Sequence, residues 1–122
     1  MDIRAFKRKD TTSVKIKDPH GKKTDAVVEM YGTDSSTYKK AAVELARGFD
    51  PEDEEDATER GAKLIQACIK SWKNMTDGGS PVDPHGAAAL AILMDPEFDY
   101  FVRQLSTATH NRTLFFIKSG ES

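Results

Sequence analysis

The chain has 122 residues, 31% of them charged and 38% hydrophobic, with a formal net charge of −2. That length suits one domain with a single modest core, and no stretch approaches the roughly 20 apolar residues of a membrane span. A lone cysteine, Cys68, excludes an internal disulfide, and the N-terminal stretch lacks the apolar core of a secretory signal, so the expected compartment is the cytoplasm.

Charge is unevenly distributed. Residues 1–23 carry eight basic side chains against three acids, whereas residues 50–59 carry seven acids and no base. Residues 1–11 read as a flexible basic arm, with Ile3 and Phe6 as its candidate anchors. From Thr12 the chain alternates, Val14 and Ile16 against Lys15 and Lys17, and Asp18-Pro19-His20-Gly21 supplies turn chemistry. A second β-branched run reaches Tyr31, which completes a predicted hairpin over residues 12–31. A two-stranded hairpin is marginal alone, so its apolar face is expected to lie on helices.

Gly32-Thr33-Asp34-Ser35-Ser36 then opens a helix over about 36–47, with Tyr38, Ala41, Ala42, Leu45 and Phe49 at helical spacing. The longest predicted helix covers about 52–75. Asp50 or Asp53 caps it, Pro51 and the acids Glu52 to Asp56 suit its first turn, and Leu64, Ile65, Cys68, Ile69 and Trp72 share one face. Asp77-Gly78-Gly79-Ser80-Pro81 ends it. A third helix, about 84–94, is apolar almost all round and is expected to be the most buried element. The fourth, about 97–110, follows Asp95-Pro96; Phe98, Phe101, Val102 and Leu105 form its inner stripe, while Asp99, Arg103 and Gln104 face water. The predicted class is therefore α+β, mostly helical. A single domain over residues 12–118 packs an N-terminal hairpin on a bundle of about four helices, and residues 119–122 form a polar tail.

Catalytic signals are weak. His20, His85 and His110 have no partner at metal-ligand spacing, and no second cysteine completes a thiolate site. Asp77-Gly78-Gly79 matches only the first residues of a calcium loop. Cys68, centred on an apolar helix face, reads as a buried thiol rather than a nucleophile. No enzyme activity, cofactor or metal is expected. The feature that stands out is Leu114-Phe115-Phe116-Ile117, four large apolar residues in a row, since no regular element turns four adjacent side chains into one core. These four, with Trp72, are the candidate partner-binding residues. Arg4, Lys7, Arg8 and Lys9, set against Glu52, Asp53, Glu54 and Glu55, are candidates for head-to-tail self-association into a homo-oligomer.

Several segments together resemble a known family. Ile69-Lys70-Ser71-Trp72 looks like a helix ending in Ile-x-x-Trp, followed by an Asp-Gly loop at Asp77-Gly78-Gly79 and a small-residue helix from Pro84 to Met94. A further helix opens at Asp95-Pro96, and the chain closes on Phe115-Phe116-Ile117-Lys118; upstream, Val14 to Lys17 with Asp18-Pro19, and Tyr31-Gly32-Thr33-Asp34-Ser35, fit the same pattern. The resemblance, over most of residues 12–118, is to the tail assembly chaperones of long-tailed bacteriophages and prophages. It implies a non-enzymatic protein that keeps the long helical tape-measure protein soluble during tail-tube assembly and is absent from the mature virion. It also implies that this chain is the short form, with a frameshifted longer form recruiting the tail tube protein. Two other readings compete: a structural head–tail or tail morphogenesis protein, and a small nucleic-acid-binding phage regulator using the basic arm. Nucleic acid is the less expected partner, because the arm lacks a recognition-helix pattern and aromatic interleaving.

Overall fold

The computed structural model describes residues 1–48, 50 and 52–116. Phe49, Pro51, Ile117, Lys118 and the tail at 119–122, all used above, lie outside the described residues. A three-stranded antiparallel sheet in the order β1-β2-β3 carries helices on one face. β1 (Thr11–Lys17) and β2 (Lys23–Tyr31) form the expected hairpin. At its turn Asp18 Oδ1 accepts the amides of His20 and Lys22, and Gly21 takes φ +80°. Ile16, Ala26, Val28 and Met30 are buried on the inner face; Ser13 and Lys15 face outward and are exposed. The fold is thus α+β and mostly helical, with the N-terminal sheet packed on four helices.

The third strand corrects the sequence reading. The long helix expected over 52–75 ends sooner: α2 spans Glu54–Cys68, and Ile69–Lys73 is β3, paired with β2. Met30 faces Ile69 and Glu29 faces Ser71, so Lys70 is an extra residue, a β-bulge. The bulge puts Ile69 and Trp72 on the same side of the sheet although they are three residues apart. That spacing imitates a helix. Tertiary pairing overrides it, because β2 needs a second partner and Ile69 and Trp72 are strand-prone residues. The break is fixed from outside: the His85 Nε2–H donates to the Ile69 carbonyl at 2.6 Å, and Gln66 Nε2 donates to the Pro84 and Gly86 carbonyls. Trp72 Nε1 donates to the Val82 carbonyl at 2.7 Å. A short ladder, β4 (Thr76–Asp77) with β5 (Ser80–Pro81), turns the chain at Gly78 and Gly79.

Of the remaining helices, α1 (Ser36–Ala46) starts at Ser35, whose buried hydroxyl accepts the Tyr38 amide and donates to the Gly32 carbonyl. α3 (Ala87–Met94) is not the most buried element. Only Ala89 and Leu93 are buried, and Ala87, Ala88 and Ala91 are exposed. Its alanines reflect helix propensity rather than burial, since a methyl side chain sits in water at little cost. α4 (Asp99–His110) follows a 3-10 turn at Pro96–Phe98 and packs on β1 and β2. Leu105, Ala108 and Thr109 form its buried face, with Phe101 and Val102 half-buried. Phe98, expected inside, is 42% exposed. Gln104, expected to face water, binds the edge of β1.

The N-terminal arm also departs from expectation. Ile3 and Phe6 lie in an exposed 3-10 turn rather than in the core; they are 82% and 63% exposed. Backbone pairing holds the arm's base instead: the Lys9 amide donates to the Phe115 carbonyl, Arg8 bridges Phe116, and the Gly32 amide donates to the Asp10 carbonyl.

Candidate partner-binding surface

The C-terminal apolar cluster is divided by the fold. After α4 a 3-10 turn, Arg112–Phe115, is capped by Asn111, whose Oδ1 accepts the Thr113 amide. An ion pair at 3.2 Å between Arg112 and Asp34 ties it to the start of α1. This turn sends the Phe115 ring inward, where it is 3% exposed and sits against Gly32. A Cβ at Gly32 would lie 2.9 Å from that ring, so glycine is required by close approach. Phe115 therefore belongs to the interior and offers no contact surface. Phe116 is half-buried, and Leu114 faces out at 36% exposure. Trp72, the fifth candidate, is half-buried over the sheet's inner face, 6.3 Å from the Phe101 ring. It is a core residue with its indole N–H satisfied.

Leu114 completes a groove that the sequence did not reveal. Val14 and Lys17 of β1, Tyr100, Arg103, Gln104, Thr107 and Ala108 of α4, and Leu114 line an open cleft of about 360 Å³. Its walls are largely apolar, and Tyr100 is 45% exposed. Among the described residues no carboxylate lines it. Arg103 is held by Asp99 at 2.6 Å, whereas Lys17 has no ion pair among the described residues. The groove exists because α4 crosses the edge of β1 instead of covering it. Gln104 makes the junction: its Oε1 accepts the Lys17 amide at 2.9 Å and its Nε2 donates to the Lys17 carbonyl at 3.0 Å. A signal for this surface was present, since Tyr100, Gln104 and Ala108 recur every four residues beside the inner stripe. Nothing in the sequence identified β1 as their neighbour.

The two charged groups stay apart. Arg4, Lys7 and Lys9 are exposed, and Arg8 lies 4.0 Å from Asp10 of its own chain. Glu52, Asp53, Glu54 and Glu55 are exposed at the start of α2. Asp53 caps that helix, accepting the amides of Glu55 and Asp56. No ion pair joins the basic arm to the acidic block among the described residues.

Chemistry-bearing groups are dispersed. Among the described residues no group of three or more His, Cys, Asp or Glu side chains is placed to hold a metal ion. Cys68 is fully buried, and burial pushes its thiol up from 9.0 to about 11, so it is protonated at neutral pH and a poor nucleophile. His85 is committed to the Ile69 carbonyl, and His110 Nδ1–H donates to the Ser106 carbonyl one turn back. Among the described residues no helix is long and apolar enough to cross a membrane. Comparison with protein-family models, with curated proteins and with solved structures finds no match to this chain.

Proposed function

We propose that this protein is a tail assembly chaperone, a cytoplasmic protein that binds a tape-measure protein and keeps it soluble while tube subunits assemble around it. The observation that carries the reading is the open apolar groove between β1 and α4, walled by Val14, Tyr100, Ala108 and Leu114. A contiguous apolar surface on a small protein with 31% charged residues suits a partner that is itself poorly soluble. The resemblance over most of residues 12–118 to the tail assembly chaperones supports the same reading independently of the groove, although its motif of a helix ending at Trp72 is a strand here. Leu114 then becomes the principal partner contact, and Phe115 a residue that holds Leu114 in place.

The role requires neither catalysis nor a cofactor, and the protein is left out of the finished particle. A frameshifted longer form would add contact to the tail tube protein; a slippery run of bases near the codons for Phe115 and Phe116, with an overlapping open frame, is its expected signature. The test of the main reading is co-expression with the long helical protein encoded nearby, followed by centrifugation and pull-down. Wild type is expected to keep that protein in the supernatant and to co-purify with it. If this chain is instead found in purified particles and leaves the helical protein insoluble, it is a structural morphogenesis protein and the reading is wrong.

A further inference from the structure

The groove is bounded on one side by the outer edge of a β-strand, and the state of that edge defines what fits. Along β1 the backbone polar groups alternate in direction. The carbonyls of Asp10 and Ile16 point toward β2, where they accept from the Gly32 amide and the Thr24 hydroxyl. The odd-numbered residues therefore point their amides and carbonyls away from the sheet. Two of these positions are occupied. The Lys9 amide donates to the Phe115 carbonyl, and Lys17 is clasped through both backbone groups by the Gln104 side chain. Between these stoppers, Thr11, Ser13 and Lys15 have no partner for their outward backbone groups among the described residues. Ser13 and Lys15 are exposed and Thr11 is half-buried. An unpaired edge of this kind is a template for another strand.

We infer that the β1–α4 groove takes an extended segment of a partner protein, which adds as a fourth strand antiparallel or parallel to β1 and turns alternate apolar side chains toward Val14, Ala108 and Leu114. The inference rests on the proposal that this groove is the partner-binding surface, and it specifies the mode: strand addition rather than a helix laid in the cleft. Clasped ends at Lys9 and Lys17 limit pairing to a short stretch centred on Ser13 and Lys15. Charge selects the occupant. With Arg103 already paired with Asp99 and Lys17 without an ion pair among the described residues, the groove favours a segment carrying an acidic residue at the Lys17 end. The chain's own exposed N-terminal segment, with Arg4, Lys7, Arg8 and Lys9, has the wrong sign. A second copy donating that arm is therefore disfavoured, and the occupant is a segment of a different protein.

The test separates backbone pairing from side-chain contact. Ser13→Pro removes one outward N–H and leaves the β2 side of β1 intact, a substitution an edge strand tolerates. Ser13→Ala controls for the lost hydroxyl contact with Glu29. Random short peptides displayed on a carrier would be panned on wild type, Ser13→Ala, Ser13→Pro and Leu114→Ser, each checked for a native circular dichroism spectrum. The expected result is enrichment of peptides with large apolar residues at every second position and an acidic residue at one end. They should be retained by Ser13→Ala and bind Ser13→Pro roughly tenfold or more weakly, as loss of a strand hydrogen bond predicts. No enrichment, apolar residues spaced by three and four, or equal binding to Ser13→Pro would overturn the inference. The two readings fail separately: if the co-expressed helical protein stays soluble with Ser13→Pro but not with Leu114→Ser, only the strand-addition mode is lost, whereas if wild type itself leaves that protein in the pellet, the functional proposal is lost.

Discussion

Cys68 and Phe115 show how burial decides what a side chain does. In the sequence Cys68 reads as a buried thiol and Phe115 as a partner contact, and both are interior. For Cys68 the raised pKa fixes a pH dependence. The folded state holds its proton until about pH 11, while the unfolded thiol loses it near 9.0. The unfolded state therefore binds fewer protons between those values, and stability falls as pH rises through that window. Below pH 9 the contribution of this thiol is fully present. Urea midpoints measured from pH 8 to 11 should decline in wild type and decline less in Cys68→Ala, and iodoacetamide at pH 8 should label Cys68 only after unfolding. Phe115→Ala is expected to cost about 3–5 kcal/mol, as for other buried aromatic deletions. Gly32→Ala should cost about 1–3 kcal/mol, because its methyl group must displace the same ring. Chemical denaturation checks both. If Phe115→Ala unfolded at the wild-type midpoint, the ring would not be the internal anchor described above.

At the scale of elements, α2 and β3 show what local pattern conveys and where it stops. The hairpin, α1, the start of α2 and the start of α4 were legible because each has its own punctuation: Asp18-Pro19 with Gly21, Ser35, Asp53, and Asp95-Pro96. The switch from α2 to β3 was not, because the bulge at Lys70 gives a strand the three-residue spacing of a helix. Only the demand of β2 for a second neighbour resolves that ambiguity, and this demand is a property of the assembled sheet. The groove was illegible for the same reason, since it joins residues 14–17 to residues 100–114. Asp53 offers a direct test of the element-level account. Asp53→Ala should destabilise the protein by about 1 kcal/mol through lost capping, whereas Glu54→Gln and Glu55→Gln should change stability by a few tenths of a kcal/mol. Equal effects at all three positions would mean that charge, rather than the cap, sets the start of α2.

Over the whole molecule, one apolar groove stands apart from the acidic block and the basic arm. The helices cover one face of the sheet, and Tyr100 and Leu114 leave apolar surface where α4, β1 and the turn at Arg112–Phe115 meet, while Ile3 and Phe6 of the arm and Val43 of α1 are exposed elsewhere. The acidic start of α2 and the basic arm are each solvent-exposed, and both are available for solubility and for association with further copies. Salt is the natural probe of that association: if the arm and the acidic block pair between subunits, oligomer mass by light scattering should fall as ionic strength rises, and removal of residues 1–7 should abolish it. The groove makes a different demand, since apolar contact persists in salt. The most direct measurement of the central claim is the fraction of the co-expressed long helical protein that remains in the supernatant with wild type, with Leu114→Ser and with Asp53→Ala. Wild type and Asp53→Ala are expected to hold it in solution, and Leu114→Ser, folded and equally abundant, to release most of it to the pellet. Equal solubility with Leu114→Ser and wild type would contradict the assignment of the β1–α4 groove as the partner-binding surface.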